Sequence, residues 1–326
     1  MTLRTAVIGV GHLGKQHARI HAALAHDGRS QFVSVCDIDS TRGADIANQH
    51  DVTLSSDWHD LIGKVDAVSL AVPTESHAEI ACGLLAAGIH VLVEKPIART
   101  VAEADAMIAA ARQGNAILQV GHTERFNPAM IALQPHVRAP VYFEIHRVGQ
   151  FTARSLDIDV VLDLMIHDLD IVQWLVGADV AVTNVHAVGI PILTNRVDAA
   201  NARIEFATGA VANITASRVG TEKIRKMRFF QPRDYVVIDY ATNYVSISNL
   251  APSATSPWPG VRTQVLEVND VEPLRAQLES FVDAAVNRTG PIVSGEDGRR
   301  ALSLALRTLE QIHEHTVRIG AAISAP

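Results

Sequence analysis

The sequence is poor in cysteine, since its 326 residues include only Cys36 and Cys82. Two cysteines cannot build the disulfide framework of a small secreted domain, and neither lies in a C-x-x-C pair of the redox or zinc-binding type. Long apolar runs are also missing: no 18 apolar residues run together, and His12 and Lys15 interrupt the N-terminal run at residues 5–10. We therefore expect a reduced, cytoplasmic protein with neither an export signal nor a membrane span.

Positive charge is in the minority, because 28 Lys and Arg residues stand against 35 Asp and Glu residues, for a formal net charge of −7. Proteins that bind nucleic acid or anionic membranes over a broad surface carry the opposite excess. We expect neither of these partners, so an anionic ligand must be bound locally. Internal repeats and low-complexity tracts are absent too, which excludes solenoids and scaffold arrays.

Apolar residues, by contrast, are plentiful: 48% of the chain is hydrophobic and 19% is charged. The length exceeds what one compact core usually holds, so two folded domains are favoured. The first 120 residues alternate short β-branched runs with helical patterns, which is typical of a parallel sheet built from βαβ crossovers. The strands predicted here span residues 5–8, 32–36, 65–70, 91–93 and 116–120.

The pattern changes after Gly121. A predicted helix at residues 163–175 is followed by strand-like runs at 180–190, 200–206, 210–217, 228–230, 235–239 and 244–247, and then by two amphipathic helices. The turn Ala207-Thr208-Gly209 indicates a hairpin between two of these runs. We predict an α/β fold, with a Rossmann domain on a doubly wound parallel sheet at residues 1–121. Residues 122–326 are predicted to form an α+β domain on an open, mostly antiparallel sheet.

A glycine-rich segment leaves the first predicted strand and opens the first predicted helix: Gly9-Val10-Gly11-His12-Leu13-Gly14. Gly9 permits a tight turn, Gly11 lets the backbone approach a pyrophosphate, and Gly14 lets helix and strand pack closely. Asp37 ends the second predicted strand, where an acid is expected at the adenosine ribose. These features predict a dinucleotide site; the alternative is a glycine-rich turn that binds no nucleotide.

The same acid predicts the choice of cofactor. A carboxylate at Asp37 can accept hydrogen bonds from the ribose hydroxyls of NAD, whereas it would repel the 2′-phosphate of NADP. Arg42 complicates this prediction, because its side chain could turn either toward a 2′-phosphate or toward water. We expect NAD to be preferred over NADP.

Two further segments lie at the carboxyl ends of parallel strands, where open α/β sheets bind ligands. Val72-Pro73-Thr74 follows the strand at 65–70, and Glu94-Lys95-Pro96 follows the strand at 91–93. We expect both segments to lie near the cofactor. Pro96 could hold an unusual, even cis, backbone turn that aims Lys95 inward; the alternative for Lys95 is an ordinary solvated lysine.

Asp163 and His167 lie four residues apart in a predicted helix, hence on one face of it. A carboxylate one turn away can orient an imidazole and stabilise its protonated form, as a base that takes a hydroxyl proton requires. This pair is our candidate acid-base centre. The alternatives are a helix-surface ion pair, a buried structural histidine, or a metal site completed by His122, although no spacing fixes a third ligand.

A polar segment marks the transition between the predicted domains: Gly121-His122-Thr123-Glu124-Arg125-Phe126-Asn127-Pro128. Because ligands often bind where domains meet, we expect His122, Arg125 and Asn127 to contact a substrate, although Asn127-Pro128 is also typical of a helix start. Basic residues further along could meet an anionic substrate; they are Arg147, Arg154, Arg218 and the group Lys223, Arg225, Lys226 and Arg228. The alternative for such a run is a solvated or edge-protecting face of a sheet.

Jointly, these motifs resemble the glucose-fructose oxidoreductase, inositol dehydrogenase and MocA (Gfo/Idh/MocA) family of nicotinamide-dependent oxidoreductases. The resemblance runs the length of the chain and rests also on Pro73-Thr74-Glu75-Ser76-His77 and on Val293-Ser294-Gly295-Glu296-Asp297-Gly298. It implies a second domain that binds a sugar or cyclitol and whose open sheet packs in a homo-oligomer, a dimer or tetramer. It also implies that Lys95, Asp163 and His167 are the catalytic group and that His77 belongs to the cofactor site.

More narrowly, residues 121–128 and 157–168 resemble members that oxidise the 3-hydroxyl of UDP-N-acetylglucosamine, a branch linked to lipid A. The expected function is therefore an NAD-dependent dehydrogenase that moves hydride between nicotinamide and a sugar ring carbon. His167 would accept the hydroxyl proton, Asp163 would orient it and Lys95 would bond the oxygen, although which of Lys95 and His167 is the formal base stays open. The alternatives are a free-sugar or inositol dehydrogenase, a non-catalytic dinucleotide-binding regulator, and metal-assisted hydrolysis or lyase chemistry.

Overall fold

The computed structural model of the protein describes residues 2–150, 158–251 and 260–323. The chain divides into two compact units: Met1–Phe126 with Glu272–Leu302, and Asn127–Val271 with Ser303–Pro326. In the described part of the chain, no helix combines the length and the apolar character needed to cross a membrane.

The first unit contains a six-stranded parallel sheet in the order β3-β2-β1-β4-β5-β6, the order of a Rossmann fold. The strands are β1 (Arg4–Ile8), β2 (Gln31–Cys36), β3 (Thr53–Ser55), β4 (Ala67–Leu70), β5 (His90–Glu94) and β6 (Leu118–Gly121). The helices between them are α1 (Gly14–His26), α2 (Ser40–His50), α3 (His77–Ala86) and α4 (Val101–Gln113). The predicted Rossmann domain and its five predicted strands are thereby confirmed.

The strands of this sheet are short apolar runs because helices cover both faces. Every residue of β4 and β5 is buried, as a parallel sheet within an α/β fold requires. Strand β3 is the one member of the sheet that was not predicted. It has only three residues, two of them exposed, at the edge of the sheet, so it carries no pattern of burial.

The boundary of the first unit differs from the predicted one at residues Glu272–Leu302, which were expected in the second domain. They include helix α7 (Pro273–Asn287), whose apolar stripe packs into the first unit. Leu278 and Val282 form a buried cluster with Ile20 and Leu24 of α1. The apolar stripe was predicted from the sequence. The surface that it packs against was not, because an amphipathic pattern does not indicate which element the apolar face contacts.

The second unit is built on an eight-stranded sheet in the order β14-β13-β12-β11-β7-β10-β9-β8, antiparallel except for the pair β7 and β10. The strands are β7 (Tyr142–Gln150), β8 (Val182–Ile190), β9 (Ala199–Phe206), β10 (Val211–Gly220), β11 (Ile224–Gln231), β12 (Asp234–Asp239), β13 (Tyr244–Ala251) and β14 (Gly260–Val265). Its helices are α5 (Pro128–Leu133) and α6 (Ile166–Val176), and α8 (Gly295–Ile323) continues into it from the first unit. The predicted open, mostly antiparallel sheet is confirmed.

Two strands of this sheet, β7 and β14, were not predicted. Strand β7 lies in the middle of the sheet, but its third inward position is the buried Arg147, which breaks the apolar alternation set by Phe143 and Ile145. Strand β14 has no buried residue at all, so nothing in its composition marks a face. The predicted hairpin is present, with Gly209 at a φ of +85° in the turn between β9 and β10.

Candidate active site

The glycine-rich loop has the geometry that its sequence predicted. Gly9 has a φ of +80°, and a Cβ atom on Gly14 would lie 1.7 Å from the carbonyl oxygen of Gly9. Gly11 is different, because a Cβ atom built there meets no protein atom within 4 Å. The backbone at Gly11 therefore faces open space at the head of α1, where His12 and Leu13 are exposed. A pyrophosphate can approach that backbone only because no side chain stands there.

This contrast predicts two separable effects. We expect Gly11→Ala to keep the wild-type melting temperature but to weaken NAD binding about tenfold or more, because the added methyl group occupies the approach of the pyrophosphate. Gly14→Ala should instead lower the melting temperature, since its methyl group overlaps the Gly9 carbonyl. Thermal unfolding and NAD titration of both variants check this, and wild-type NAD affinity in Gly11→Ala would contradict it.

Asp37 lies buried at the end of β2 and is tightly held. Its carboxylate accepts hydrogen bonds from the amide of Val10, at 2.8 Å, and from the amide of Asp39, at 2.9 Å. Arg42 adds a two-pronged ion pair, with Nη2 at 2.7 Å and Nε at 3.1 Å from the two carboxylate oxygens. Burial opposes ionisation of Asp37, but the guanidinium and the two amides outweigh it and lower the pKa of the carboxyl group.

Arg42 thus adopts neither of the two positions considered from the sequence. Arg42 lies in the first turn of α2, and its guanidinium forms an ion pair with Asp37. It therefore neither extends into solvent without a partner nor waits unpaired for a phosphate. Together with the open backbone at Gly11, an ionised carboxylate at the end of β2 fits the adenosine ribose and pyrophosphate of a dinucleotide.

Glu94 lies next to Lys95 at the end of β5, but its side chain points into the core of the first unit. The carboxylate is buried, 3.1 Å from Nε2 of His17, and accepts a hydrogen bond of 3.4 Å from Gln277. Burial opposes its ionisation, yet the His17 contact outweighs this and lowers the pKa of Glu94. These contacts of Glu94 lie within the first unit, and its contact with the cofactor stays a prediction.

The side chain of His77 lies between the loops that carry other predicted cofactor residues, and its own cofactor contact stays a prediction. The ring is buried, and its two nitrogens lie 3.0 Å from the carbonyl oxygens of Val72 and Pro96. The Lys95–Pro96 peptide bond is cis, as considered from the sequence. Because both ring nitrogens are engaged, His77 fixes the loop that carries Pro73 and Thr74 to the loop that carries Lys95.

The three residues of the polar segment that were predicted to contact a substrate, His122, Arg125 and Asn127, are buried. Arg125 lies 3.3 Å from Asp297, and the carboxylate of Asp297 also accepts the amide of Ser294 at 2.8 Å. Asn127 caps α5 by accepting the amide of Ala129 at 3.0 Å, which was its alternative interpretation. The His122 side chain is 1% exposed. Substrate contact by these residues stays a prediction, and Arg154 lies outside the described residues.

Asp163 and His167 are both half-buried in the second unit, at the point where the helix changes its winding. Asp163 lies in a π-helical turn, Val161–Met165, and His167 lies in the first turn of α6. The predicted helix is confirmed, but the π-helical turn was not foreseen. Such turns are rare and occur frequently at functional sites.

Asp163 lines a cavity of about 410 Å³ in the second unit. Four basic side chains also line it: Arg147, Arg218, Lys223 and Arg225. The basic side chains can bind an anionic ligand. Asp163 in the same wall can orient the predicted base, His167. In the described part of the chain, no group of three or more His, Cys, Asp or Glu side chains is placed to hold a metal ion.

Two of these arginines are anchored by buried carboxylates. Arg147 forms a two-pronged pair with Asp168, at 2.7 and 2.8 Å, and both side chains are buried. Arg218 lies 3.4 Å from Asp198 and donates to the carbonyl oxygens of Ile158 and Val197. Asp168 follows His167 directly, so the pair with Arg147 ties α6 to β7. Asp168 ends the segment 157–168 that carries the narrower resemblance, but its role could not be deduced without knowing that Arg147 faces inward.

We expect Arg147→Met to destabilise the protein by about 3–5 kcal/mol, because it leaves the Asp168 carboxylate buried without its countercharge. Arg147→Met with Asp168→Leu should recover most of this loss, since neither charge then remains in the core. The free energy of unfolding, measured in urea for both variants, checks the prediction. A single variant as stable as the wild type would show that the pair does not hold α6 against β7.

The chain belongs to the Gfo/Idh/MocA family of NAD-binding Rossmann-fold oxidoreductases. The model of the family's NAD-binding Rossmann domain matches residues 3–122, and the model of its C-terminal domain matches residues 101–231. The predicted family, the oxidoreductase class and NAD as the cofactor are thereby confirmed.

Among its relatives is UDP-N-acetylglucosamine 3-dehydrogenase of Acidithiobacillus ferrooxidans, 38% identical over 94% of this chain and 96% of the relative. Inositol 2-dehydrogenase 1 of Saccharopolyspora erythraea is 28% identical over 94% of this chain and 92% of its own.

Comparison with solved structures gives the same family and fold. The UDP-N-acetylglucosamine 3-dehydrogenase of A. ferrooxidans superposes with a TM-score of 0.89 at 37% identity, over 96% of this chain and 98% of that chain. Levoglucosan dehydrogenase, in complex with NADH and levoglucosan, superposes with a TM-score of 0.85 at 20% identity over 96% and 98% of the two chains, which shows a common fold.

Proposed function

We propose that the protein oxidises the 3-hydroxyl of UDP-N-acetylglucosamine with NAD. The observation that carries this proposal is the 38% identity, over nearly the whole chain, to a UDP-N-acetylglucosamine 3-dehydrogenase. The cavity supports it independently, because four basic side chains beside Asp163 suit a substrate with a diphosphate better than an uncharged inositol or hexose. As the resemblance implies, the 3-keto product would then serve lipid A synthesis.

Three residues carry the proton side of this reaction in our proposal. His167 accepts the proton of the 3-hydroxyl on a ring nitrogen, and Asp163 supports the imidazolium that results. Lys95 donates a hydrogen bond to the substrate oxygen as negative charge develops on it. NAD, when bound, accepts from the sugar carbon the hydride that leaves as the carbonyl forms. Lys95 belongs to the first unit, whereas Asp163 and His167 belong to the second.

The cofactor site in this proposal consists of the loops at the carboxyl ends of β1, β2, β4 and β5. Its residues are Gly9, Gly11, His12, Leu13, Gly14, Asp37, Pro73, Thr74 and Lys95. His77 acts in it as a positioning residue, because it joins the loops of Val72 and Pro96. The second unit supplies the substrate site.

We further propose that the protein works in the cytoplasm as a homo-oligomer. One face of the eight-stranded sheet supports self-association, because it presents an aromatic group that is partly exposed in the described part of the chain. Phe230 is 41% exposed, and its ring lies 5.9 Å from that of Tyr142 and 4.8 Å from that of Tyr235. Exposed clustered aromatics are typical of protein interfaces. The free cysteines Cys36 and Cys82 suit a reducing compartment.

Thermal-shift screening separates this function from its alternatives. UDP-N-acetylglucosamine, free N-acetylglucosamine and inositol are each tested with and without NAD, because a ligand that binds the native state raises the melting temperature. We expect UDP-N-acetylglucosamine to give the largest increase. Stabilisation by inositol or the free sugar, with none by the nucleotide sugar, would favour the free-sugar or inositol dehydrogenase.

A further inference from the structure

The basic run at residues 223–228 is divided between the two faces of the sheet. Strand β11 alternates, with Met227 and Phe229 buried on one face and Lys226 and Arg228 exposed on the other. Arg225 shares the face of Met227, and with Lys223 it lines the cavity of Asp163. Neighbouring residues of one basic run therefore have different environments.

The outward members of the run are matched by acidic neighbours on their own face. Lys226 lies 3.3 Å from Asp239, and Arg228 lies 3.9 Å from Glu144. These ion pairs lie on the outer face of the sheet and not at the cavity. Lys226 and Arg228 thus have no part in the cavity.

The inward members give the cavity its positive character. Of the four cations in its wall, Arg147 and Arg218 are anchored by the buried carboxylates Asp168 and Asp198. Lys223 is exposed, and within the described residues no acidic side chain forms an ion pair with it. Besides these cations, the described part of the cavity wall contains one acidic side chain, Asp163. The cavity wall therefore combines Lys223, just before β11, and Arg225, on β11, with Asp163 of the π-helical turn.

We propose that Lys223 and Arg225 form the subsite that binds the diphosphate of the nucleotide-sugar substrate. This deepens the function proposed above and rests on it. The lysine supplies a mobile point charge and the arginine a planar fork, which together suit a diphosphate with several acceptor oxygens. With the diphosphate held by Lys223 and Arg225, the sugar of the same substrate would be directed toward Asp163, which lines the same cavity and supports the proposed base His167.

The test uses the full-length enzyme and two matched double variants. Lys223→Ala with Arg225→Ala removes two charges from the cavity, and Lys226→Ala with Arg228→Ala removes two charges from the opposite face of the same strand. Calorimetric titration with UDP should show about tenfold or greater weakening in the first variant and about twofold or less in the second. Uridine, which has no phosphate, should bind both variants as it binds the wild type.

Steady-state kinetics extend the comparison to catalysis. The cavity variant should show a raised KM for UDP-N-acetylglucosamine with kcat largely retained, because the diphosphate is bound equally in the ground and transition states. The UDP affinity of the wild type and of the outer-face variant should fall as salt is raised, and that of the cavity variant should fall less steeply.

The outcomes distinguish the subsite from the function. If the wild type oxidises UDP-N-acetylglucosamine and the cavity variant binds UDP with wild-type affinity, the subsite is wrong and the proposed function stands. If the two double variants lose affinity equally, the effect is one of total charge, and the subsite is again wrong. If the wild type neither binds UDP nor oxidises the nucleotide sugar, both proposals fail.

Discussion

Lys95→Ala and His167→Ala are each expected to lower kcat by about a hundredfold or more while leaving NAD binding nearly unchanged. Lys95 follows β5 at the ligand-binding edge of the Rossmann sheet, and His167 opens α6 beside the buried Asp168. His167 lies outside the proposed cofactor site. Lys95 lies in that site, but apart from the glycine loop and the Asp37 region, which would hold the pyrophosphate and the adenosine ribose. The loss should therefore appear in turnover, with the NAD dissociation constant within about twofold of the wild type.

Two control variants remove the same side-chain types from exposed positions. Lys64→Ala lies in the loop before β4, and His186→Ala lies on β8, next to Asn184. Both should keep wild-type kcat. Asp163→Asn should be milder than His167→Ala, because the carboxylate supports the base without taking the substrate proton itself. Near-wild-type turnover in both Lys95→Ala and His167→Ala would contradict the proposed catalytic group.

Asp37→Ser should shift cofactor preference toward NADP, raising the ratio of kcat/KM for NADP over that for NAD by about a hundredfold or more. Asp37 repels a 2′-phosphate, and its lowered pKa keeps that charge at neutral pH. The same substitution releases Arg42, which forms a two-pronged pair with Asp37 in the wild type. One change therefore removes a repulsive anion and frees a guanidinium beside the ribose position.

Two further variants separate these contributions. Asp37→Ser with Arg42→Ala should lose most of the gain for NADP, because the repulsion is gone but no cation replaces it. Arg42→Ala alone should keep the NAD preference of the wild type. Dissociation constants for NADH and NADPH, measured by fluorescence, provide a readout that is independent of turnover. Equal use of both cofactors by the wild type, or no gain for NADP in Asp37→Ser, would contradict the role of Asp37.

Local patterns were enough to predict the Rossmann half of the molecule. Gly9, Gly11 and Gly14 are required by turn geometry and close approach, and Asp37 follows from its place at the end of a strand. These constraints act within a few residues or across neighbouring strands. Short sequence patterns are therefore enough to predict them.

The direction in which an individual side chain points was harder to predict from the sequence than the elements and loops of the fold. Glu94 and His77 lie in the expected segments, but both turn inward, to His17 in one case and to two backbone carbonyls in the other. The partner of Glu94 is distant in the sequence, and His77 contacts Pro96 of another loop as well as the nearby Val72. The buried ion pair between Arg147 and Asp168 was not predicted either. A single arginine in a strand sequence does not indicate that a carboxylate will be buried against it. Strand β14, without a buried residue, leaves no pattern to recognise.

The most direct test of the function uses UDP-N-acetylglucosamine that carries deuterium at C3, incubated with the enzyme and NAD. Oxidation of the 3-hydroxyl must transfer the C3 hydrogen to the nicotinamide, so the reduced cofactor should contain one deuterium and the product should be the 3-keto nucleotide sugar. Mass spectrometry of both products measures this. Reduced cofactor without deuterium would place the oxidation at another carbon. No reduction with this substrate, together with robust reduction by inositol or a free hexose, would contradict the proposed function.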